Sequence, residues 1–466
     1  HKAIRRQRQM CIRDSTEIYT NITIKEERNK MKKFTVCLLI GAMAASMLTG
    51  CGSNGGSSDS SDSKADSSSE TMTIMMNGSD SDAFMEGYRK IVDGFNESNE
   101  YGVKVEIQNI TNADYKTKLT TMMASDSEPD IIFTWPLGYL ENFVNGDKVV
   151  SIQKYLDEDE DWKNSFNGGI LDPLTYDGEV YAIPTQQSTA IMYYNKAIFD
   201  KYGLEVPTTY DEYVQICDTL KENGVTPVAL ASTADDAWLV SQYIQQLSDG
   251  IKGEDLFNSL KDGTGKWNDE GMVEAGKLFQ EEVNKGYFED GFTGVSREEA
   301  QLQFANGQTA MYFNGCWEIS NLDKKENAAE AENISCFLMP AVNEEYAGVE
   351  VGSVDTSYAI TKNCKNVDAA VALLKYMTNE ESTSLLLYDY GRTPSTNFDI
   401  DNSKLTPLCA DFINLLGDVK VQTPWFDRVD TDLGNEFNNT TIGIANGDDV
   451  QEAFDTLQSY AESKSK

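Results

Sequence analysis

From Thr71 onward the chain alternates between two hydrophobic periods, and that alternation restricts the fold more than any other feature. Thr71-Met72-Thr73-Ile74-Met75-Met76-Asn77 reads as a short apolar strand. The turn Gly78 to Asp82 follows, then Phe84, Tyr88, Ile91, Val92 and Phe95 recur at helical spacing. Val103, Val105 and Ile107 alternate as in a strand, and Tyr115, Leu119, Met122 and Met123 mark a second helix. Ser125 to Pro129 then turns the chain into Asp130-Ile131-Ile132-Phe133, a continuous apolar run of the kind buried on both faces. Strand, helix, strand in succession is the βαβ unit, which predicts an α/β fold with a mostly parallel sheet.

Further along, Val180 to Pro184 and Ala190 to Tyr194 read as two separate strands, and Thr209 to Glu212 as a capping box. Strands are expected at 225–230, 310–313 and 335–339, an extended segment at 351–361, and helices at 238–247, 270–285 and 297–306 and through the tail. No fixed-period repeat is present. A body from residue 71 to 466 exceeds one ordinary core, so two lobes are expected.

The first seventy residues have a different character. Lys32 and Lys33 follow Met31, and an apolar stretch from Phe34 runs to Leu48-Thr49-Gly50-Cys51. A charged head, a short apolar stretch and a small-residue exit describe a secretory signal, too short for a membrane span. LTGC resembles the bacterial lipobox, which implies that the Cys51 thiol takes a lipid and anchors the chain. Residues 1–30 are then expected to be a false upstream extension, 31–50 the signal peptide, and 51–70 the lipidated cysteine with a flexible Gly/Ser/Asp-rich linker.

Charge and residue inventory exclude much chemistry. With ten basic and four acidic residues in the first fifty, the remainder carries 29 Lys and Arg against 72 Asp and Glu, a formal net charge of −43. Nucleic acid is therefore not an expected partner, since phosphate binding needs clustered cations. The one histidine is His1, so beyond it no Ser-His-Asp or Cys-His nucleophile and no His-ligated metal site exists. No phosphate-binding or dinucleotide loop is present. Asp80-Ser81-Asp82 lacks the calcium-loop pattern, and Tyr193-Tyr194 reads as one buried and one exposed ring on a strand. Paired carboxylates are uninformative among so many acids. Cys217, Cys316, Cys336, Cys364 and Cys409 are odd in number, widely spaced and expected to be free buried thiols. No cofactor, metal or catalytic residue is expected, and the chain is read as a non-enzyme.

What remains is aromatic. Trp135, Trp238, Trp317 and Trp425 sit beside polar or turn residues. Sugars need flat rings for their C–H faces and polar groups for their hydroxyls, and such loops supply both. Each Trp has an equally good reading as a plug at a core edge.

Several stretches resemble the family 1 extracellular solute-binding proteins. These are Glu128-Pro129-Asp130-Ile131-Ile132, Tyr181-Ala182-Ile183-Pro184 followed by Met192-Tyr193-Tyr194-Asn195-Lys196, Phe304 to Met311, Gly315-Cys316-Trp317, Ala369 to Met377, and Gly391-Arg392-Thr393-Pro394. Their order spans residues 71–466. The resemblance implies the two-lobed periplasmic-binding-protein type II fold of the maltose-binding type, each lobe a mixed, mostly parallel sheet flanked by helices. It divides the chain into an N-lobe of 71–191 plus 358–407 and a C-lobe of 192–357 plus 408–466, with crossings near 190–195, 354–361 and 405–411.

The same resemblance implies a monomeric, lipid-anchored protein on the outer face of a cell membrane, of the Gram-positive type, delivering carbohydrate to ABC permease subunits. Carried onto matching positions, the ligand site comprises Asn77, Asp80, Trp135, Gln187, Asp235, Trp238, Asn314, Trp317, Asp355 and Arg392. Asp355 has two readings, ligand contact or hinge tie, and Arg392 likewise, ligand contact or helix cap. A different solute such as a polyamine, and a surface glycosidase, stay as alternatives.

Overall fold

The computed structural model describes residues 70–323 and 332–464. Residues 1–69, with the upstream extension, the signal segment, Cys51 and nearly all of the linker, lie outside these, and Glu70, expected in the linker, opens β1 instead. The described residues form eleven strands: β1 Glu70–Asn77, β2 Val103–Ile110, β3 Ile131–Thr134, β4 Thr175–Tyr176, β5 Glu179–Val180, β6 Ile183–Asn195, β7 Thr226–Ala229, β8 Thr309–Gly315, β9 Ile334–Phe337, β10 Val349–Ile360 and β11 Val421–Thr423.

Local sequence explains the first half. In β2, buried Val103 and Val105 alternate with exposed Lys104 and Glu106, as suits an outer strand, whereas every residue of central β3 is buried. Both pair in parallel with β1, Glu70 opposite Val103 and Ile74 opposite Ile131. The helix Ala83–Ser98 buries Met85, Tyr88, Ile91, Val92 and Phe95 on one stripe and packs against helices Val367–Met377 and Glu380–Tyr390.

The sheet order is β2-β1-β3-β10-β6-β8-β7, with β11 on β10 and β9 on β6. Four pairings are parallel and four antiparallel, so the sheet is mixed. β6 and β10 join its halves. Residues 183–189 of β6 lie against β10, and residues 190–195 pair with β8 and β9. β10 begins beside β11 and ends beside β3, slipping register on both sides of Thr356. The polar segment Thr185 to Thr189, which the sequence pattern suggests is a break, is instead the middle of one long strand. Thr185, Gln186, Ser188 and Thr189 are buried there by their neighbours in the sheet. Tyr193 is fully buried and Tyr194 only partly, the alternation expected of them.

In the second half, helix Ala237–Lys252 packs against helices Glu270–Lys285 and Thr431–Ala445. It is buried almost all round, polar residues included. Gln246 uses those groups on β10, accepting from the Val351 amide at 2.9 Å and donating to the Val349 carbonyl at 3.2 Å. Gln245 accepts from the Phe426 amide at 2.7 Å and donates to the Pro424 carbonyl at 2.9 Å. The Thr423 hydroxyl donates to Asp249. These bonds brace the segment carrying Trp425.

Burial pushes the Asp249 carboxyl up to about 8, against the hydrogen bonds from Thr423 and Gln245. The folded chain thus holds this proton more tightly than the unfolded chain does. The stability it contributes is complete below about pH 4 and is lost as the pH rises toward 8. Asp249→Asn removes the ionised form. Variant and wild type are expected to melt alike near about pH 4, with the variant melting higher at about pH 8. A melting-temperature difference that stays constant with pH would contradict this.

All five described cysteines are free and buried. Burial pushes the Cys316 thiol to about 11 and Cys409 to about 12, so neither is an activated nucleophile at neutral pH.

Candidate functional site

Two clusters form where the halves of the sheet meet. The first is aromatic. Trp238 begins helix Ala237–Lys252, Trp317 follows β8, and Trp425 precedes the short turn Phe426–Arg428. Their ring centres are 5.9 Å apart for Trp238 and Trp317, 5.6 Å for Trp317 and Trp425, and 6.4 Å for Trp238 and Trp425. Glycine at 315 permits the fold-back of Trp317, since a Cβ there would stand 2.1 Å from the indole.

The Arg428 guanidinium extends this stack toward the other half. Its carbon lies 4.3 Å from the Trp425 ring centre and 5.1 Å from that of Trp135, which follows β3. Both distances lie in the cation–π range. Trp135 is held edge-on by Phe133 at 4.7 Å, Tyr139 at 5.0 Å and Tyr115 at 5.7 Å. Beside the stack, Asn142 donates to the Thr431 hydroxyl at 3.0 Å. Gly138 lies so close to the segment after Arg428 that a Cβ would stand 2.7 Å from the Val429 carbonyl oxygen.

The second cluster is polar and sits at the register slip of β10. Arg392 donates from Nε to Gln186 Oε1 at 2.6 Å and from Nη2 to Asp355 Oδ2 at 2.5 Å. Its guanidinium covers the Phe84 ring at 4.6 Å. The single Thr356 hydroxyl proton has the same two acceptors within reach, Gln186 at 3.3 Å and Asp355 at 3.1 Å. One guanidinium therefore ties β6, β10 and the turn after helix Glu380–Tyr390. Arg392→Ala leaves a mostly buried carboxylate without its cation and is expected to destabilise the chain by about 3 kcal/mol. Adding Asp355→Ala should restore part of that loss in thermal melts. A single variant that melts like wild type yet loses ligand would instead make Arg392 a ligand contact.

The structure thus gathers Trp135, Trp238 and Trp317 in one cluster and Asp355 and Arg392 in the other. Gln187 lies on β6 beside the second cluster, its amide donating to the Thr393 carbonyl at 3.1 Å. Other positions point elsewhere. Asn77 donates to Asn112 at 3.0 Å, and Asp80 pairs with Arg89 and accepts from Asn109 at 2.8 Å on the surface. Asp235 is exposed, whereas its neighbour Asp236 accepts from Thr233 and from the Arg297 amide. Asn314 is fully buried, bonding Tyr312 and accepting from the Gly315 amide at 2.8 Å.

Sequence reasoning missed Arg428 and Tyr139. The signal for Arg428 was present in Trp425-Phe426-Asp427-Arg428, because a spacing of three puts Trp and Arg on one side of a helical turn.

Several polar atoms in these clusters are buried without a partner among the described residues: the Trp238 and Trp425 indole nitrogens, Arg428 Nη1, the Tyr139 hydroxyl and Gln186 Nε2. Unmet buried groups of this kind cost about 1–3 kcal/mol each and suit a polar guest. The acids nearby are already engaged: Asp355 by Arg392, Asp427 by Arg428 at 3.0 Å, and Glu318 by Arg297 at 3.7 Å. Among the described residues, no group of three or more His, Cys, Asp or Glu gathers as for a metal.

A mixed α/β sheet whose halves are joined by long strands, beside a cluster of tilted and edge-on indole rings, is the architecture of the solute-binding proteins. The chain belongs to the bacterial extracellular solute-binding protein family, whose model matches residues 78–384. It is 26% identical over 340 residues to the multiple sugar-binding protein of Streptococcus mutans, covering 69% of this chain and 74% of that one. The melibiose/raffinose/stachyose-binding protein of Bacillus subtilis is 25% identical over 378 residues, covering 79% and 83%. Among solved structures, one from work on xylan utilization by the thermophilic bacterium Caldanaerobius polysaccharolyticus superimposes with a TM-score of 0.77 at 27% identity, covering 84% of this chain and 99% of that one. A chitin oligosaccharide binding protein gives 0.78 at 20% identity, covering 85% and 98%, and shares the fold. No helix among the described residues is long and apolar enough to cross a membrane.

Proposed function

We propose that this solute-binding protein captures a carbohydrate between the halves of its sheet and delivers it to the permease of an ABC importer. The observation that carries this reading is the aromatic cluster of Trp135, Arg428, Trp425, Trp317 and Trp238, with unmet N–H groups along it. Flat rings suit sugar C–H faces, and buried donors suit hydroxyl and ring oxygens. The sugar-binding relatives support the same class of solute. A polyamine would need free carboxylates, and those in the clusters are occupied by arginines. The same pairing argues against two carboxylates set for glycoside hydrolysis.

In this reading β6 and β10 act as the hinge, with the N-lobe formed by 71–191 plus 358–407 and the C-lobe by 192–357 plus 408–466. A solute that touches both lobes only when they close favours the closed state, the general behaviour of periplasmic binding proteins. Cys51 carries the lipid anchor, holding a monomer at the outer face of a Gram-positive membrane on the linker that follows. Labelled fatty acid should enter the wild type and not Cys51→Ala. A thermal-shift screen of mono- and oligosaccharides tests the solute class, because a ligand that binds the folded chain raises its melting point by mass action. Stabilisation by polyamines and by no sugar would contradict the proposal.

A further inference from the structure

The cleft offers donors in excess. Of the five unmet atoms in the two clusters, the two indole nitrogens, Arg428 Nη1 and Gln186 Nε2 can only donate. A neutral sugar presents hydroxyls that both give and accept, and is best met by a mixture that includes free carboxylates. Here Asp355 and Asp427 are each bonded by an arginine, and Glu318, whose Oε1 has no hydrogen bond, faces Arg297 at 3.7 Å.

Positive charge is concentrated at the same place. Arg428 is 8% exposed and stands 5.1 Å from the Trp135 ring centre. Lys116, on helix Asn112–Ala124, places its Nζ 5.1 Å from the same ring centre and 5.8 Å from that of Tyr139. The charges acting on Lys116 are those of Asp427 and of Arg428 itself. Asp355 also acts on Arg428 but is paired with Arg392, so Asp427 is left to serve both Arg428 and Lys116, and the group of three cations and two carboxylates keeps a net positive charge. The large negative charge of the whole chain is screened beyond about 8 Å at physiological ionic strength, so the local cations decide what docks.

Building on the carbohydrate reading, we propose that the preferred ligand is an acidic sugar, an oligosaccharide with a hexuronate unit, whose carboxylate is held by Arg428 Nη1 and Lys116 beside Trp135. A planar carboxylate on a guanidinium edge is the strongest pairing available to an unmet arginine N–H.

The test is calorimetric titration of the full chain with di- and trisaccharides of galacturonate, glucuronate and mannuronate, the methyl ester of each, and the matching neutral hexose oligomers. At least one uronate should bind ten-fold or more tighter than its own ester and its neutral counterpart, and the gap should shrink with added salt. Lys116→Gln, at an exposed position, should narrow the gap, and Arg428→Gln should abolish it. Esters or neutral oligomers binding as tightly as every acid would overturn the acidic preference while leaving the carbohydrate reading intact. Binding of no saccharide from any series would overturn both.

Discussion

Trp425→Ala is expected to weaken carbohydrate binding by roughly 30- to 1,000-fold, the two to four kcal/mol typical of a central aromatic anchor. Trp425 joins the other two indoles to the guanidinium, contacting Trp238, Trp317 and Arg428. Removing it takes away one stacking surface and frees the guanidinium that bridges toward Trp135. The unliganded protein should lose less, because these ring contacts belong to the cleft. Trp425→Phe keeps a flat face but no indole N–H, and should recover part of the affinity. Calorimetry reads the affinity and thermal melts read the stability. A variant that unfolds at room temperature would reassign Trp425 to the core.

Gly138→Val is expected to reduce affinity about 100-fold by preventing closure, while leaving every ligand-facing side chain in place. Gly138 begins a helix after β3, and the backbone it meets at Val429 and Asp430 lies beyond β11, on the other half of the sheet. A Cβ would stand 2.7 Å from one backbone oxygen and 2.9 Å from the Asp430 Cα, and neither neighbour is a flexible side chain that can move aside. Valine is also the better helix former of the two, so the melting point should hold or rise. Small-angle scattering should show the wild type contracting on saturation with sugar and the variant failing to contract. Equal contraction in both would remove position 138 from the closure surface.

The sequence shows the fold where one periodicity dominates. β1, β2, β3 and the helices between them carry clean apolar patterns, and the described strands and helices follow them closely. β6 is harder to read, because it is polar in its middle, where it lies against β10. Thr185 to Thr189 look like a loop until the neighbouring strands bury them. The site was legible in its rings and less so in its polar groups. A Trp beside turn residues marks an edge, and three such edges meet. Asn314 and Asp80 bond within their own surroundings instead, because side-chain direction in a strand or turn is settled by tertiary packing, which no local pattern encodes. The local spacing places Arg428 on Trp425, but its reach to Trp135, almost three hundred positions earlier in the chain, is set by tertiary packing.

Intrinsic tryptophan fluorescence tests the central claim most directly, since the rings assigned to the ligand also report on it. Titrating neutral and acidic saccharides into the wild type should give a saturable change in emission with at least one sugar, shifted at least about 30-fold in concentration by Trp425→Ala. A sugar that binds both proteins with equal affinity and leaves the indole emission untouched would place its site elsewhere and contradict the account.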